Sequence, residues 1–348
     1  MQTDAPAKPV RPEDGTASGA VGVTWQFTLT GLLIGVLVGL TGMGGGSLMT
    51  PILVIVFGFK PTYAVGTDIL HGAVFKTFGA VRHRRLGNVH AHLTLWMFLG
   101  SGPMSLLGVA TASWLESAYG DSVQSAEGYA IGAALVLGAI GLVLKTFIKR
   151  GVQPSEAGFV MARKDKVRAV IIGAVFGYIV GLTSVGSGTF FGLVMVMIYP
   201  LTIARIVGTD IFHASALLWV AGFGHLVQGN VDLHAMAWLL LGSIPGIWIS
   251  SRYTLHLPQD ALRLGLAGVL ALSGIKLLDV PQSSYVIAFG LALGLAAFAV
   301  WLGVQSRRRE TERTDNPRAG LVDGDGDGVR GDAAPEARAE PDLADARR

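Results

Sequence analysis

Residues 31–56 read GLLIGVLVGLTGMGGGSLMTPILVIV and decide the fold class. An apolar run ends in a turn with glycine at four of its five positions, and a second apolar run follows directly. A helix over Ser47–Gly58 would cover only about 18 Å of a roughly 30 Å hydrocarbon core. Residues 173–198, GAVFGYIVGLTSVGSGTFFGLVMVMI, repeat the pattern, with Thr189–Ile198 as the second short segment. The pattern predicts broken helices whose irregular backbone is buried in protein or lines a wet cavity.

The repeated pattern extends well beyond these two stretches. A shift of 142 positions aligns Gly31–Pro103 with Gly173–Pro245 without a gap, and 25 of the 73 aligned residues are identical. A shared apolar composition would not align Asp, His, Asn and Trp residues, so the sequence predicts a duplicated unit. The paired segments are VGTDI at 65–69 and 207–211, His71 and His213, GNV at 87–89 and 229–231, and Trp96 and Trp238.

The composition is typical of a membrane protein. Of the 348 residues, 51% are hydrophobic and 15% are charged, and the mean hydropathy is +0.52. Soluble domains carry about 25% charged residues. Residues 21–305 hold only 16 basic and 10 acidic side chains, which excludes the basic patch of a nucleic-acid-binding protein. The chain has no cysteine, which excludes a disulfide scaffold and a thiolate metal site.

Nine apolar stretches are long enough to cross a bilayer, and Ser47–Gly58 and Thr189–Ile198 are the two short ones. The predicted fold is therefore an all-α polytopic membrane protein with about nine full spans and two short segments. The nine stretches are Thr24–Leu40, Ala64–Val81, Leu93–Leu115, Gly128–Ile148, Arg168–Val185, Ile206–Val227, Leu233–Ser250, Ala261–Leu278 and Tyr285–Val304.

Basic residues predict which loops face the cytoplasm. They concentrate in Arg82–Arg85, Lys149–Arg168 and Arg307–Arg309. A loop with Glu116, Asp121 and Glu127 lies between the first two clusters, and the weakly charged loop Gln228–Asp232 lies between the second and third. This pattern predicts an outside N-terminus and a cytoplasmic C-terminus.

The two copies are predicted to have opposite orientations. The loop at 87–89 lies beside the Arg82–Arg85 cluster and is expected inside, whereas its counterpart at 229–231 is expected outside. Inverted repeats are typical of secondary transporters, whose site lies where the repeats meet. The predicted organisation is a polar arm over 1–22, a first membrane repeat over 23–148, a basic cytoplasmic linker over 149–167, a second membrane repeat with an extra span over 168–305, and a disordered charged tail over 306–348.

The two glycine-rich turns are candidate anion sites. Backbone N–H groups at the start of a helix attract anions, and Ser47 and Thr189 are expected at the N-cap positions. The alternative is a tight turn in which glycine lets two helices approach closely. The candidate substrate-binding residues are Gly44, Gly45, Gly46, Ser47, Gly186, Ser187, Gly188 and Thr189.

Two Asp–His pairs lie inside predicted spans, Asp68 with His71 and Asp210 with His213. A spacing of three residues puts each pair on one helix face. Ionisable groups inside a membrane are costly and indicate function, and histidine titrates near neutrality, so these four residues are candidates for proton coupling. Alternatively, each aspartate and the threonine before it cap the start of their helix.

Lys76 is a further candidate for substrate binding, because it could attract an anion into the cavity. Alternatively, its side chain extends toward the Arg82 end of the span, about 9 Å away, which the sequence slightly favours. The remaining histidines lie near span ends, and none has the HxxxH or HExxH spacing of a metal site, so no metal is expected.

The glycine-rich turn at Gly42–Pro51, the segment Ala64–Asp68, the Gly87–Val89 loop and the 142-residue repeat resemble the TauE/SafE sulfite exporter family. The likeness covers about residues 25–280. It implies a bacterial inner-membrane permease that is built from two homologous halves and carries sulfite, sulfoacetate or other organosulfur anions. The span Tyr285–Val304 has no counterpart in the first half and is treated as an addition.

These observations lead to the hypothesis of a secondary transporter for small anions, coupled to protons through the two Asp–His pairs. The expected partners are the anion and the lipid bilayer. No cofactor, nucleic acid or enzymatic activity is expected, and homo-oligomerisation stays open. The alternatives are a cation or metal permease that uses the Asp–His pairs, an intramembrane enzyme, and a membrane partner of another complex that does not itself transport.

Overall fold

Ten α-helices form the element order of the computed structural model, which describes residues 24–41, 46–119, 121–147, 159–250, 259–283 and 285. No strand occurs within those ranges. The predicted all-helical class is confirmed. The helices are α1 (Thr24–Thr41), α2 (Gly46–Ile55), α3 (Pro61–Arg85), α4 (Ala91–Tyr119), α5 (Asp121–Phe147), α6 (Arg163–Thr183), α7 (Phe190–Ile198), α8 (Ile203–Val227), α9 (Leu233–Ser250) and α10 (Gln259–Leu277).

Five helices are long and apolar enough to cross a membrane, namely α4, α5, α6, α8 and α9. This supports a multi-pass membrane protein, and the count of nine full spans stays a prediction. The two short predicted segments form the two shortest of the ten helices, α2 with 10 residues and α7 with 9. The arm over 1–22, the tail over 306–348 and the span Tyr285–Val304 beyond its first residue lie outside the described residues.

The predicted acidic loop between the third and fourth long helices is wrong in its extent. Helix α4 continues to Tyr119 and α5 begins at Asp121, so Glu116 and Glu127 belong to helices rather than to a loop. The Glu127 side chain is buried, and its Oε2 accepts a hydrogen bond of 2.7 Å from Thr62 Oγ1 on α3. The sequence suggested a loop because charged residues inside helices look the same as charged residues between them.

Large apolar side chains cover the outside of the long helices. Examples on five different helices are Leu33, Leu99, Leu137, Ile171 and Leu241, each more than half exposed. A soluble protein rarely exposes so much contiguous apolar surface. The exposed faces fit a lipid surround.

Glycines bring helices of the two halves into direct backbone contact. A Cβ on Gly35 of α1 would lie 2.8 Å from Ser243 Cα of α9, and one on Gly177 of α6 would lie 2.5 Å from Ser101 Cα of α4. These distances leave no room for any side chain, and small residues at such crossings are typical of membrane helices. Gly177 is 142 positions after Gly35, and Ser243 is 142 after Ser101, so the two crossings are equivalent with the halves exchanged.

Hydrogen bonds between the halves show the same exchange. Thr67 Oγ1 of α3 accepts from the Asp232 backbone N–H at 2.9 Å, and Thr209 Oγ1 of α8 accepts from the His90 backbone N–H at 2.9 Å. The Asp232 side chain in turn accepts a hydrogen bond from a backbone N–H in the first turn of α9. The His90 side chain accepts one from a backbone N–H in the first turn of α4. Each threonine therefore fixes the start of a helix in the other half.

Helices α3 and α8 pack along each other and carry six of the seven buried Asp, Glu, His and Lys side chains among the described residues. A Cβ on Gly222 of α8 would lie 3.0 Å from Leu70 Cδ1, and one on Gly72 of α3 would lie 3.2 Å from Leu218 Cδ1. This close pairing places Asp68, and its counterpart Asp210, inside the bundle.

Replacing Gly177 by alanine is expected to lower the free energy of unfolding by about 1–3 kcal/mol, because the added methyl meets the backbone of α4. Gly268 on α10 is the matched control, since nothing lies within 4 Å of a Cβ there. Gly268→Ala should be neutral or add about 0.5–1 kcal/mol through helix propensity. Thermal unfolding in detergent measures both, and an unchanged Gly177→Ala variant would contradict the crossing.

Candidate functional site

The candidate site lies where α3 meets α2, α8 and the turn at 184–189. Asp68 of α3 is at its centre and is 1% exposed. Its Oδ2 accepts a hydrogen bond of 2.6 Å from Thr50 Oγ1 of α2 and one of 2.8 Å from Ser184 Oγ of the turn. The Asp68 Oδ1 atom is also buried, and no described residue donates to it. The Asp68 carboxylate thus links α2 to the turn at 184–189 through Oδ2, and its Oδ1 receives no hydrogen bond from the described residues.

The helix-capping interpretation of the two aspartates is wrong. Helix α3 begins at Pro61 with Lys60 as its N-cap, and α8 begins at Ile203 with Thr202 as its N-cap. Asp68 and Asp210 therefore lie about two turns inside their helices, where no orphan N–H groups need a cap. The prolines did not predict where both helices begin, because α3 begins at its proline whereas α8 begins three residues after Pro200.

Lys76 is buried, with 3% of its surface exposed. Its Nζ donates hydrogen bonds of 2.8 Å to both the backbone carbonyl and the Oγ of Ser187. The alternative in which this side chain extends toward the Arg82 end is wrong, because its Nζ binds a hydroxyl and a carbonyl of the turn instead of reaching the surface. The structure therefore brings Lys76 and Ser187 together, although they are distant in the sequence.

The turn at 184–189 is buried along its whole length. It requires left-handed backbone at Ser184, with φ of 63°, and an unusual φ of 107° at Gly186. Gly186 also packs against the Phe190 ring with no room for a side chain. Gly188 lies in the same buried turn. Thr189 stands at the N-cap position of α7, but its side chain makes no cap hydrogen bond and no described residue bonds its buried Oγ1.

The first glycine-rich turn is only partly described. Gly44 and Gly45 lie outside the described residues, and Gly46 begins α2, followed by Ser47. Their role in binding stays a prediction.

The two histidines bond to serines of the other half. His71 Nε2 lies 2.9 Å from Ser243 Oγ of α9, and His213 Nε2 lies 2.9 Å from Ser101 Oγ of α4. The His213 ring also packs edge-on against Phe191, with 4.4 Å between the ring centres. Each histidine is hydrogen-bonded to a helix that does not bind Asp68. The members of the predicted Asp–His pairs share a helix face, but they are not hydrogen-bonded to each other.

Asp210 sits in a different setting from Asp68. Gly192 of α7 is the counterpart of Thr50, so no hydroxyl is available there. A Cβ on Gly192 would lie 2.9 Å from Asp210 Oδ2 and 2.7 Å from the Nζ of Lys145, which comes from the last turn of α5. The lysine therefore occupies the side of Asp210 on which Asp68 has a threonine.

Sequence reasoning missed five of these residues. The hydroxyls of Thr50, Ser101, Ser184 and Ser243 gave no signal, because single serines and threonines are common in membrane helices. Lys145 lies near the end of the predicted span Gly128–Ile148, four residues before Lys149, and was not recognised as a site residue. The repeat could have flagged Ser101 and Ser243, which are 142 positions apart and match.

A small cavity of about 10 Å³ lies beside Asp68, lined also by His71, Gly72, Phe75 and Lys76 and by apolar residues of α1 and α2. A volume of this size holds about one water molecule. Within the described residues, no group of three His, Asp or Glu side chains could hold a metal ion.

Replacing Thr50 by valine is expected to lower the free energy of unfolding by about 1–3 kcal/mol, because the buried Asp68 carboxylate loses a charge-assisted hydrogen bond. Thr146→Val is the control, since that hydroxyl only bonds the Leu142 carbonyl of its own helix. Thermal unfolding in detergent should separate the two variants. Equal shifts would show that the Thr50 hydroxyl does not hold the carboxylate.

The chain is similar to proteins of a known membrane-protein family. The family model for the sulfite exporter TauE/SafE matches residues 27–277. The chain is 37% identical to the probable membrane transporter protein YjnA of Bacillus subtilis over 253 residues, which cover 73% of this chain and 99% of that protein. It is 26% identical to the probable membrane transporter protein YdhB of the same organism over 247 residues, 71% of this chain and 96% of that protein.

More distant similarity reaches an archaeal protein. The chain is 22% identical over 268 residues to the probable membrane transporter protein MJ0441 of Methanocaldococcus jannaschii, which covers 72% of this chain and 93% of that protein. No solved structure matches the chain significantly.

Proposed function

The chain belongs to the sulfite exporter TauE/SafE family of membrane transporters, and we propose that it moves small anions across the inner membrane as a secondary transporter. The proposed cargo is sulfite, sulfoacetate or a related organosulfur anion. The family name supports the sulfur chemistry, and the buried lysine supports the negative charge of the cargo.

The observation that carries the proposal is the position of Lys76. A charged side chain inside a membrane domain is costly and is usually retained for function. The hydrogen bonds of Lys76 go to the carbonyl and hydroxyl of Ser187, which are neutral groups, so these bonds do not neutralise the ammonium. We assign binding of the anion to Lys76, Ser187 and Thr189, with Gly186 and Gly188 shaping the turn. Ser47 and Gly44–Gly46 would contribute the equivalent surface in the first half.

Exchange of contacts between the halves supports an inverted repeat. Three kinds of contact occur twice, at positions shifted by 142, with the contributing halves exchanged. They are the glycine crossing, the threonine hydrogen bond and the His–Ser hydrogen bond. A pseudo-two-fold axis generates such an exchange. We propose that the axis lies in the membrane plane, with the N-terminus outside and the C-terminus in the cytoplasm.

Transport requires the bundle to open around the site. The cavity beside Asp68 and Lys76 holds about one water molecule, which is too little space for an anion with several heavy atoms. In inverted-repeat transporters, one group of helices rocks against the other and exposes a fixed site to each side in turn. The glycine crossings of α1 with α9 and of α4 with α6 are smooth surfaces for such a movement.

Proton coupling is assigned to Asp68, with Asp210, His71 and His213 as further members. Asp68 has hydroxyl donors on one oxygen and no described donor on the other. A proton on Oδ1 would neutralise the carboxylate and remove its repulsion of an anion at Lys76. Anion and proton would then move together.

Flux tests the cargo class. The protein in proteoliposomes should transport labelled sulfite or sulfoacetate, and Lys76→Met should lower the flux about tenfold or more, because a charge-assisted contact is lost. Lys276→Met removes an exposed lysine of α10 and should leave the flux unchanged. No flux above that of empty vesicles would contradict the proposal. Transport of a divalent cation instead would favour the alternative in which the two carboxylates bind a cation.

Side-specific labelling tests the topology, and the absence of native cysteine makes single-cysteine variants straightforward. Leu86 and Gln228 are 142 positions apart, and both are exposed at the ends of α3 and α8. In intact cells an impermeant thiol reagent should label Gln228→Cys, and it should reach Leu86→Cys only after permeabilisation. Labelling of both from the same side would overturn the inverted arrangement.

A further inference from the structure

The two halves hold their equivalent carboxylates by different chemistry. Two neutral hydroxyls, from Thr50 and Ser184, bind Asp68. On the other side of the repeat, glycine replaces the threonine at position 192, and the ammonium of Lys145 approaches Asp210 instead. One half therefore has a carboxylate among hydroxyls, and the other has a carboxylate facing a cation.

The geometry around Gly192 defines this second arrangement. A Cβ there would lie 2.7 Å from Lys145 Nζ and 2.9 Å from Asp210 Oδ2, so the two charged groups are separated by at most the sum of these distances. Asp210 is 7% exposed, and electrostatic interactions reach it from both Lys145 and Lys76. Lys76 is in turn attracted to Asp68 and would repel a protonated His213. Lys145 is repelled by Arg263 of α10.

We propose that Lys145 is a further cargo-binding residue, and that Asp210 is a resident counter-ion which the anion displaces from Lys145 and Lys76. This inference rests on the proposed anion transport. Without cargo, the carboxylate offsets part of the positive charge of the two lysines. When the anion arrives, its oxygens take over the lysines, and Asp210 turns away until the anion leaves.

The displacement follows from the cost of buried charge. The buried Lys76 and the half-buried Lys145 both need negative charge nearby in every state of the cycle. A tethered carboxylate supplies it when the site is empty, and competition between the carboxylate and the cargo keeps the cargo from binding too tightly to be released. Gly192 makes the exchange feasible, because a side chain there would crowd both the ammonium and the carboxylate.

A purely structural ion pair between Lys145 and Asp210 makes a different prediction. Loss of either partner would then destabilise the fold, and neither would change anion binding specifically. If the anion displaces Asp210, the two substitutions instead change the affinity for the anion in opposite directions. Lys145→Met should weaken it and Asp210→Asn should strengthen it.

The experiment uses the full chain in detergent and in proteoliposomes, with labelled sulfite and sulfoacetate as probes. Equilibrium binding should show about a tenfold or larger rise of Kd in Lys145→Met and a fall of Kd in Asp210→Asn. The Asp210→Asn variant should also show slower flux, because the anion leaves less readily. Either probe should raise the Tm of Asp210→Asn more than that of the unsubstituted protein, because the anion replaces the missing carboxylate. Lys276→Met and Asp279→Asn, at exposed positions of and after α10, are the charge-matched controls.

Gly192→Ala provides a variant with no change of charge. The added methyl would meet both the Lys145 ammonium and the Asp210 carboxylate, so it should disturb anion binding as Lys145→Met does, even where a charge variant folds poorly. Normal anion affinity in both Lys145→Met and Gly192→Ala, with binding and flux intact in the unsubstituted protein, would overturn this inference and leave the proposed function standing. Absence of binding and flux in the unsubstituted protein would overturn both.

Discussion

A charge inside an apolar helix bundle has to find its partners within the protein, and the rest of this structure depends on that constraint. Asp68 and Lys76 are almost completely buried, so bulk water does not reach their charged groups. Their partners come from the least regular parts of the fold, Thr50 in the short helix α2 and Ser184 and Ser187 in the turn before α7. The broken segments and the buried charges therefore require each other. A continuous helix in place of the turn would have its backbone groups satisfied and could not offer the Ser187 carbonyl.

Glycine supplies the second condition for this arrangement. Helices of opposite halves touch through backbone at Gly35 and Gly177, and this closeness lets Ser243 and Ser101 reach the histidines of α3 and α8. The same close packing explains why the cavity beside Asp68 is small. It also gives the proposed opening movement a surface without interlocking side chains.

The two copies of the sequence repeat differ at two positions of the polar centre. Lys76 corresponds to Leu218, and Thr50 corresponds to Gly192, so the polar centre is asymmetric although its scaffold of glycines, serines, threonines and histidines is matched. A duplicated scaffold can be divided in this way, with one carboxylate among neutral donors and the other beside cations. The asymmetry lies in a few side chains, and the crossings that hold the helices together keep the equivalence.

The sequence by itself determined the all-helical class, the short helices α2 and α7 and the family, and it singled out Asp68, Lys76, Ser187 and Asp210 as candidates for a site. It could do so because apolar runs, glycine clusters and charges inside spans are local properties of the chain, and because the repeat marks which of them recur. Only the tertiary structure decided what each group contacts. Lys76 bonds to a turn more than a hundred residues away, His71 bonds to Ser243 rather than acting with Asp68, and Lys145 belongs beside Asp210 rather than with the basic cluster that follows it. These pairings depend on how closely helices from different halves approach. The spacing of residues along the chain does not determine how deeply a side chain is buried in the bundle.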